Sequence, residues 1–96
     1  MNGGMILVKT ICIQYEVEPS FIESLTEHGL IQIQTIEDEY YIESEILGNF
    51  ERMIRLYHDL NINFEGIDVI LNLMEKVDHL SKEITSLRNR LHLLEE

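Results

Sequence analysis

The sequence predicts a mainly α protein with one small β-hairpin and a long C-terminal helix. Three observations indicate this fold class: a short segment opened by Pro19 and closed by Gly29, an alternating segment from Leu30 to Thr35, and a heptad repeat near the C-terminus. A chain of 96 residues makes one domain with a modest core, so an apolar stripe left over after folding needs a second surface. We therefore expect one folding unit, in which residues 1–62 form a compact module and residues 63–96 form a dimerisation helix.

The first segment, from Ile6 to Ile13, is compatible with two secondary structures. Its β-branched residues favour a strand, whereas Ile11, Cys12 and Tyr15 share one face of a helix. From the residues alone both alternatives stay open. Cys12 is the single cysteine, so it has no internal disulfide partner, and its apolar neighbours indicate a reduced core residue of a cytoplasmic protein.

A short helix is predicted next. Pro19 suits the first position of a helix, and Gly29 suits the position just after its last turn. Phe21, Ile22 and Leu25 lie between them at spacings that form one apolar stripe. We therefore predict a helix over residues 19–28 that buries this stripe.

The following region predicts a β-hairpin with an acidic tip. Leu30 to Thr35 alternates apolar and polar residues, and Tyr40 to Ile42 is a second β-prone run. Glu37, Asp38 and Glu39 lie between the two runs, so they are expected at the turn.

Two helices follow the hairpin. Ser44 can cap a helix that runs through Leu60, and Asn63 can cap the last helix by accepting a hydrogen bond from its free backbone N–H groups. The apolar residues of the first of these helices recur about once per turn, at Ile46, Leu47, Phe50, Met53, Ile54 and Tyr57.

The last helix carries a heptad seam. Its apolar residues are spaced alternately by 3 and 4, at Ile70, Leu73, Val77, Leu80, Ile84, Leu87, Leu91 and Leu94. β-Branched residues at the a positions with Leu at d favour a parallel two-stranded coil. The first turns can instead pack on the preceding helix, which leaves the distal half for another subunit. We expect a homodimer that buries Leu80, Ile84, Leu87 and Leu91.

Charge is unevenly distributed along the chain. The formal net charge is −11, and Lys9 is the one basic residue from Met1 to Glu51. An acidic surface repels phosphate and attracts basic partners, so a protein partner is expected rather than nucleic acid. The longest apolar run, Met5 to Val8, is far too short for a membrane span, so no membrane association is expected.

The candidate binding residues are carboxylates in two neighbouring elements. The helix predicted over residues 19–28 supplies Glu23 and Glu27, and the hairpin tip supplies Glu37, Asp38 and Glu39. A DNA-binding protein needs Lys and Arg to neutralise phosphates. The clustering favours a basic protein partner, and simple solvation is the alternative for any one carboxylate.

No catalytic or metal-binding constellation stands out. His28, His58, His79 and His92 are separated by 30, 21 and 13 residues, which excludes the helical pairing typical of two metal ligands. No Gly-rich phosphate loop or nucleophile elbow occurs in the sequence. We expect no cofactor, no metal and no enzymatic activity.

The stretch IRLYHDLNINFEGIDVILNLMEKVDHLSKEITSLRNRL carries a pattern found in known proteins. Its features are Arg55 and Leu56 followed by His58, Asp59 and Leu60, an aromatic residue two before Gly66 and Ile67, Leu73 with Met74, and Leu87-Arg88-x-Arg90-Leu91. In these features the chain resembles the chaperone modulator CbpM family of the MerR-like superfamily, from Lys9 to Leu91.

The resemblance implies a MerR-like winged helix-turn-helix in which TICIQYEV is the first helix, the hairpin is the wing and the long helices pair antiparallel. It also implies a regulator that binds the J-domain of a DnaJ-like co-chaperone and inhibits its action with an Hsp70-type chaperone. J-domains tend to present a basic helix, which suits an acidic binder. The alternatives are a MerR-like DNA-binding transcriptional regulator and a purely structural assembly module.

Overall fold

The computed structural model describes residues 4–95. In order, the elements are β1 (Met5–Leu7), α1 (Val8–Tyr15), α2 (Pro19–Glu27), β2 (Gln34–Ile36), β3 (Glu39–Glu43), a 3-10 turn (Ser44–Ile46), α3 (Leu47–Ile54), a π-helical turn (Arg55–Asp59) and α4 (Phe64–Glu95). The predicted fold class, mainly α with a small hairpin and a long C-terminal helix, is confirmed.

The segment from Ile6 to Ile13 contains both of the structures that its residues allow. β1 forms first, and the chain continues into α1 without a loop. The helix implied by the resemblance is therefore confirmed, and the strand that precedes it was not predicted as a separate element. α1 ends at Tyr15. The next residue, Glu16, has a left-handed backbone (φ 54°), and its N–H donates to the carbonyls of Cys12 and Ile13.

The helix predicted after Pro19 is confirmed as α2. Pro19 occupies the first turn, and the helix ends one residue before His28. Gly29 follows with a φ of 72°, a left-handed conformation that glycine adopts without steric cost. The predicted apolar stripe lies in the core and consists of Phe21, Ile22 and Leu25.

The hairpin is confirmed as part of a three-stranded antiparallel sheet of order β1-β3-β2. β2 and β3 are joined by Glu37 and Asp38, both with positive φ (51° and 65°), as in the two-residue turns whose twist matches that of the strands. β1 adds to the other side of β3, with Met5 opposite Glu43.

The strand predicted from Leu30 to Thr35 is wrong in its first half, because β2 begins only at Gln34. An alternating strand would place Leu30 and Ile31 on opposite faces of a sheet. Instead Ile31 is buried, and both Leu30 and Ile33 pack against the same core. Core burial of these side chains thus overrides the local alternation.

The single helix predicted from Ser44 to Leu60 is divided into three parts. Ser44 lies in a 3-10 turn and makes no side-chain cap, so the predicted capping role is wrong; its backbone N–H donates to the carbonyl of Gly4 (2.8 Å). α3 then buries Phe50 and Met53. A π-helical turn ends this region, followed by a closing hydrogen bond from the N–H of Ile62 to the carbonyl of Leu56.

The cap predicted for the last helix is confirmed. The Asn63 side-chain oxygen accepts a hydrogen bond from the backbone N–H of Gly66 (2.8 Å) at the start of α4. Ile67 is fully buried, and Phe64 and Leu71 pack against the core. From Asn72 to Leu94 every side chain is exposed, so only the first turns of α4 are held by the rest of the chain.

Candidate protein-interaction surfaces

The predicted acidic residues of α2 lie on its solvent side. α2 buries its apolar stripe, and Glu23 and Glu27 are exposed one turn apart. The sequence of α2, PSFIESLTE, contains no Lys or Arg. Apart from Pro19, the exposed side chains of this helix are therefore acidic or polar.

The hairpin tip separates its three acids into two groups. Glu37 and Asp38 form the turn and are exposed. Glu39 instead begins β3, is half-buried, and places its Oε1 atom 3.6 Å from the Nζ atom of Lys9. Among the five predicted binding acids, Glu39 is the one with an ion pair within residues 4–95.

The heptad seam is uncovered along the distal part of α4. The side chains predicted to form the dimer interface are 55% exposed at Leu80, 50% at Ile84, 55% at Leu87 and 58% at Leu91. They follow one face at heptad spacing, whereas the packed residues of α4 end at Leu71. The seam therefore plays no part in the core of the described chain.

The architecture of a helix pair, a wing and a long helix can be compared with known families. A family model described as MerR HTH family regulatory protein matches residues 6–89. The chain belongs to this family. Its MerR-like helix-turn-helix fold, predicted from the sequence, is thereby confirmed.

The predicted likeness to the CbpM proteins is also confirmed. The chain is 25% identical over 85 residues to the chaperone modulatory protein CbpM of Pseudomonas entomophila (strain L48), with 88% of this chain and 84% of that protein covered. It is 27% identical over 86 residues to the protein of that name from Pseudomonas putida KT2440, and 25% identical over 85 residues to that from Escherichia coli O139:H28, with the same coverage.

In this MerR family member, sequence reasoning missed an aromatic cluster between α2 and α4. Phe21 lies 5.1 Å from Tyr57 and 6.1 Å from Phe64, measured between ring centroids. The rings of Tyr57 and Phe64 stack with their centroids 4.7 Å apart. The His28 ring also stacks on Phe64, at a centroid distance of 5.0 Å. The π-helical turn brings Tyr57 to this cluster, and no local pattern in the sequence signals such a turn.

The histidines do not converge. The His28 Nε2 atom lies 3.5 Å from Glu65 and that of His79 lies 4.0 Å from Glu83, so each meets a different carboxylate. No group of three or more potential metal ligands occurs within residues 4–95. None of the described helices is long and apolar enough to cross a bilayer.

Two titratable side chains on α1 are perturbed. Burial, followed by the negative charge of Glu18, raises the pKa of the Cys12 thiol above its ordinary value. The hydrogen bond from the Tyr15 hydroxyl to Glu51 (2.7 Å), then burial and the Glu51 charge, raise the pKa of Tyr15 above its ordinary value. Both groups are therefore held in their neutral forms, and neither has the properties of an activated nucleophile.

Proposed function

We propose that this protein is a non-enzymatic chaperone modulator that binds the J-domain of a DnaJ-like co-chaperone. The names of its relatives support the modulator role. The observation that carries the proposal is the charge of α2 and the wing tip, where a DNA-binding member of the family would need Lys and Arg. Here those elements expose Glu23, Glu27, Glu37 and Asp38.

The proposed mechanism is masking. Carboxylates on α2 and the wing oppose Lys and Arg side chains of the J-domain, and the Hsp70-type chaperone then cannot dock on the same basic surface. The two-residue turn at the wing tip supports this role, because the pairing of Ile36 with Glu39 leaves Glu37 and Asp38 at the exposed end of the hairpin.

We propose further that the protein is a homodimer joined through the seam of α4. The support is physical: four exposed apolar side chains at heptad spacing lie on a helix that nothing else in the described chain covers. A second copy presents the same stripe, so the two can bury each other.

The decisive experiment compares two partners. We expect the purified protein to bind an isolated J-domain from its own organism and to inhibit J-domain-stimulated ATP hydrolysis by the Hsp70-type chaperone. It should leave duplex DNA unretarded even at low salt, where phosphate contacts are strongest. Sequence-dependent DNA retardation without J-domain binding would favour the alternative, a MerR-like transcriptional regulator.

Charge-neutralising variants test the acidic face. Glu23→Gln with Glu27→Gln should slow association with the J-domain and flatten its salt dependence, because peripheral charges act mainly on encounter. The matched control, Glu45→Gln with Glu75→Gln, removes two exposed charges outside α2 and the wing tip. If both double variants associate at the wild-type rate, the acids of α2 are merely solvated.

The wing is tested in the same way. Glu37→Gln with Asp38→Asn should also slow association. Glu39→Gln alone should have a smaller effect, since its carboxylate is already paired with Lys9. An effect of Glu39→Gln as large as that of the tip pair would contradict the assignment of the tip as the contacting group.

A further inference from the structure

A cavity of about 290 Å³ opens beside the aromatic cluster, where the turn between α1 and α2 meets the π-helical turn. Its apolar and aromatic lining residues are Val17, Phe21, Tyr57 and Phe64. The polar lining residues are Ser20, Ser24 and His58, and the acidic ones are Glu16 and Glu18. None of the acids proposed to form the masking face lines it, so this cavity is a separate feature, although α2 contributes to both.

The charge of the cavity selects a cation. Glu16 and Glu18 are both exposed, and neither has an ion-pair partner within residues 4–95. Among the lining residues, His58 alone can carry positive charge. The N-terminus of α2 would favour an anion, but two carboxylates at the same opening reverse that preference.

The aromatic rings give the cavity an apolar wall. Tyr57 and Phe64 stack with an interplanar angle of 20°, and Phe21 packs against both of them. The three rings pack against one another and line the cavity, so each supports the position of the others. Such a wall can cover the methylene stem of a Lys or Arg side chain while its charged end lies at the opening.

We infer that this cavity receives a Lys or Arg side chain of the J-domain, with Glu16 and Glu18 pairing its charge and the aromatic wall covering its stem. This inference rests on the proposed function and deepens it by naming an anchoring contact. The cavity lies on α2, the helix whose exposed acids are proposed to meet the same basic partner, so one J-domain surface can reach both.

The backbone conformation of Glu16 allows a variant that separates an effect on binding from an effect on folding. Its φ of 54° lies in the left-handed region, where glycine is favoured and glutamate is not. Glu16→Gly removes the carboxylate while relieving this conformation. It should therefore raise the thermal unfolding midpoint and still weaken J-domain binding, a combination that loss of folding cannot produce.

The main test is a calorimetric titration in which the purified protein, in the oligomeric state in which it is obtained, is titrated with the isolated J-domain. Glu16→Gln with Glu18→Gln should raise Kd about tenfold, whereas Glu45→Gln with Glu75→Gln should change it less than about twofold. Ser20→Arg places a cation of the chain's own at the cavity and should raise Kd at least as much, with Ser20→Gln as its control.

The outcomes are distinguishable. If the wild-type protein binds the J-domain and the Glu16 and Glu18 variants bind equally well, the cavity is not an anchor and the inference is overturned while the proposed function stands. If the wild-type protein does not bind the J-domain at all, both are overturned. Reduced binding by Glu16→Gly, with an unfolding midpoint at or above that of the wild type, supports the anchor.

Discussion

Charged substitutions in the seam of α4 test whether the seam is an interface between subunits or part of the core of one chain. The double variant Ile84→Asp with Leu87→Asp should give a monomer whose module remains folded, because neither side chain contacts the core of its own chain. Substitutions at exposed sites of this kind usually change the free energy of unfolding by less than about 0.5 kcal/mol.

The effect on dimerisation can be worked from exposure. Burying a Leu or Ile side chain completely contributes about 1.5–3 kcal/mol. Ile84 is 50% exposed and Leu87 is 55% exposed, so burial in a dimer would contribute about half of this, or roughly 1 kcal/mol for each side chain. Two side chains in each of two subunits make about 4 kcal/mol, which corresponds to about a 1,000-fold rise in the dissociation constant of the dimer. Desolvation of the new carboxylates acts in the same direction.

Sedimentation equilibrium at micromolar concentration measures the dimer, and near-ultraviolet circular dichroism reports the packing of the module. The control is Ser86→Asp with Leu93→Asp, which adds the same two charges to α4 at positions off the seam. Some loss of helicity beyond Leu71 is expected in the monomer, because no other element supports that part of the helix. A variant that stays dimeric would show that the interface lies elsewhere, and one whose module unfolds would show that the seam is core.

Two other predictions concern stability. Gly66→Ala should destabilise the protein by about 1–3 kcal/mol in urea unfolding, because the added Cβ would lie 2.7 Å from the side chain of Ile62. Gly48→Ala should stabilise it by about 0.5–1 kcal/mol, because no atom lies near the added Cβ and alanine favours a helix. Equal effects would refute this reasoning. The hydrogen bond to Glu51 raises the pKa of Tyr15, so its contribution to stability is present below the ordinary tyrosine pKa of about 10 and is lost as pH rises through the higher folded-state pKa. The difference in unfolding midpoint between the wild type and Tyr15→Phe should therefore shrink at alkaline pH. A difference independent of pH would contradict the proposed hydrogen bond to Glu51.

Where local chemistry decides structure, the sequence was sufficient. Pro19 and Gly29 bound α2 because one suits the first turn and the other accepts a left-handed backbone. Asn63 caps α4 through its own side chain. The hairpin acids were placed at or beside the turn, although only Glu37 and Asp38 form it, because the pairing of Ile36 with Glu39 leaves two residues between the strands.

The sequence could not reveal features that depend on residues far apart in the chain. β1 is three residues long and gains its hydrogen bonds from β3, more than thirty positions away, so the β-branched residues from Ile6 to Ile13 could not show where a strand ends and α1 begins. Ile31 leaves the predicted strand because the core, assembled from several elements, accepts it. The π-helical turn that divides the predicted second helix likewise has no local signature.

By itself, then, the sequence determined the bounds of α2, the cap at the start of α4, the acidic character of α2 and the wing tip, and the heptad face of α4. Each of these depends on neighbouring residues or on simple periodicity. Only the tertiary structure decided which apolar faces are buried within the chain and which remain exposed. It placed Ile67 in the core and left Ile84 outside it, and it brought Glu16 and Glu18 to the rings of Tyr57 and Phe64. The physical reason is that burial and cavity shape are properties of the packed assembly, to which segments distant in sequence contribute together.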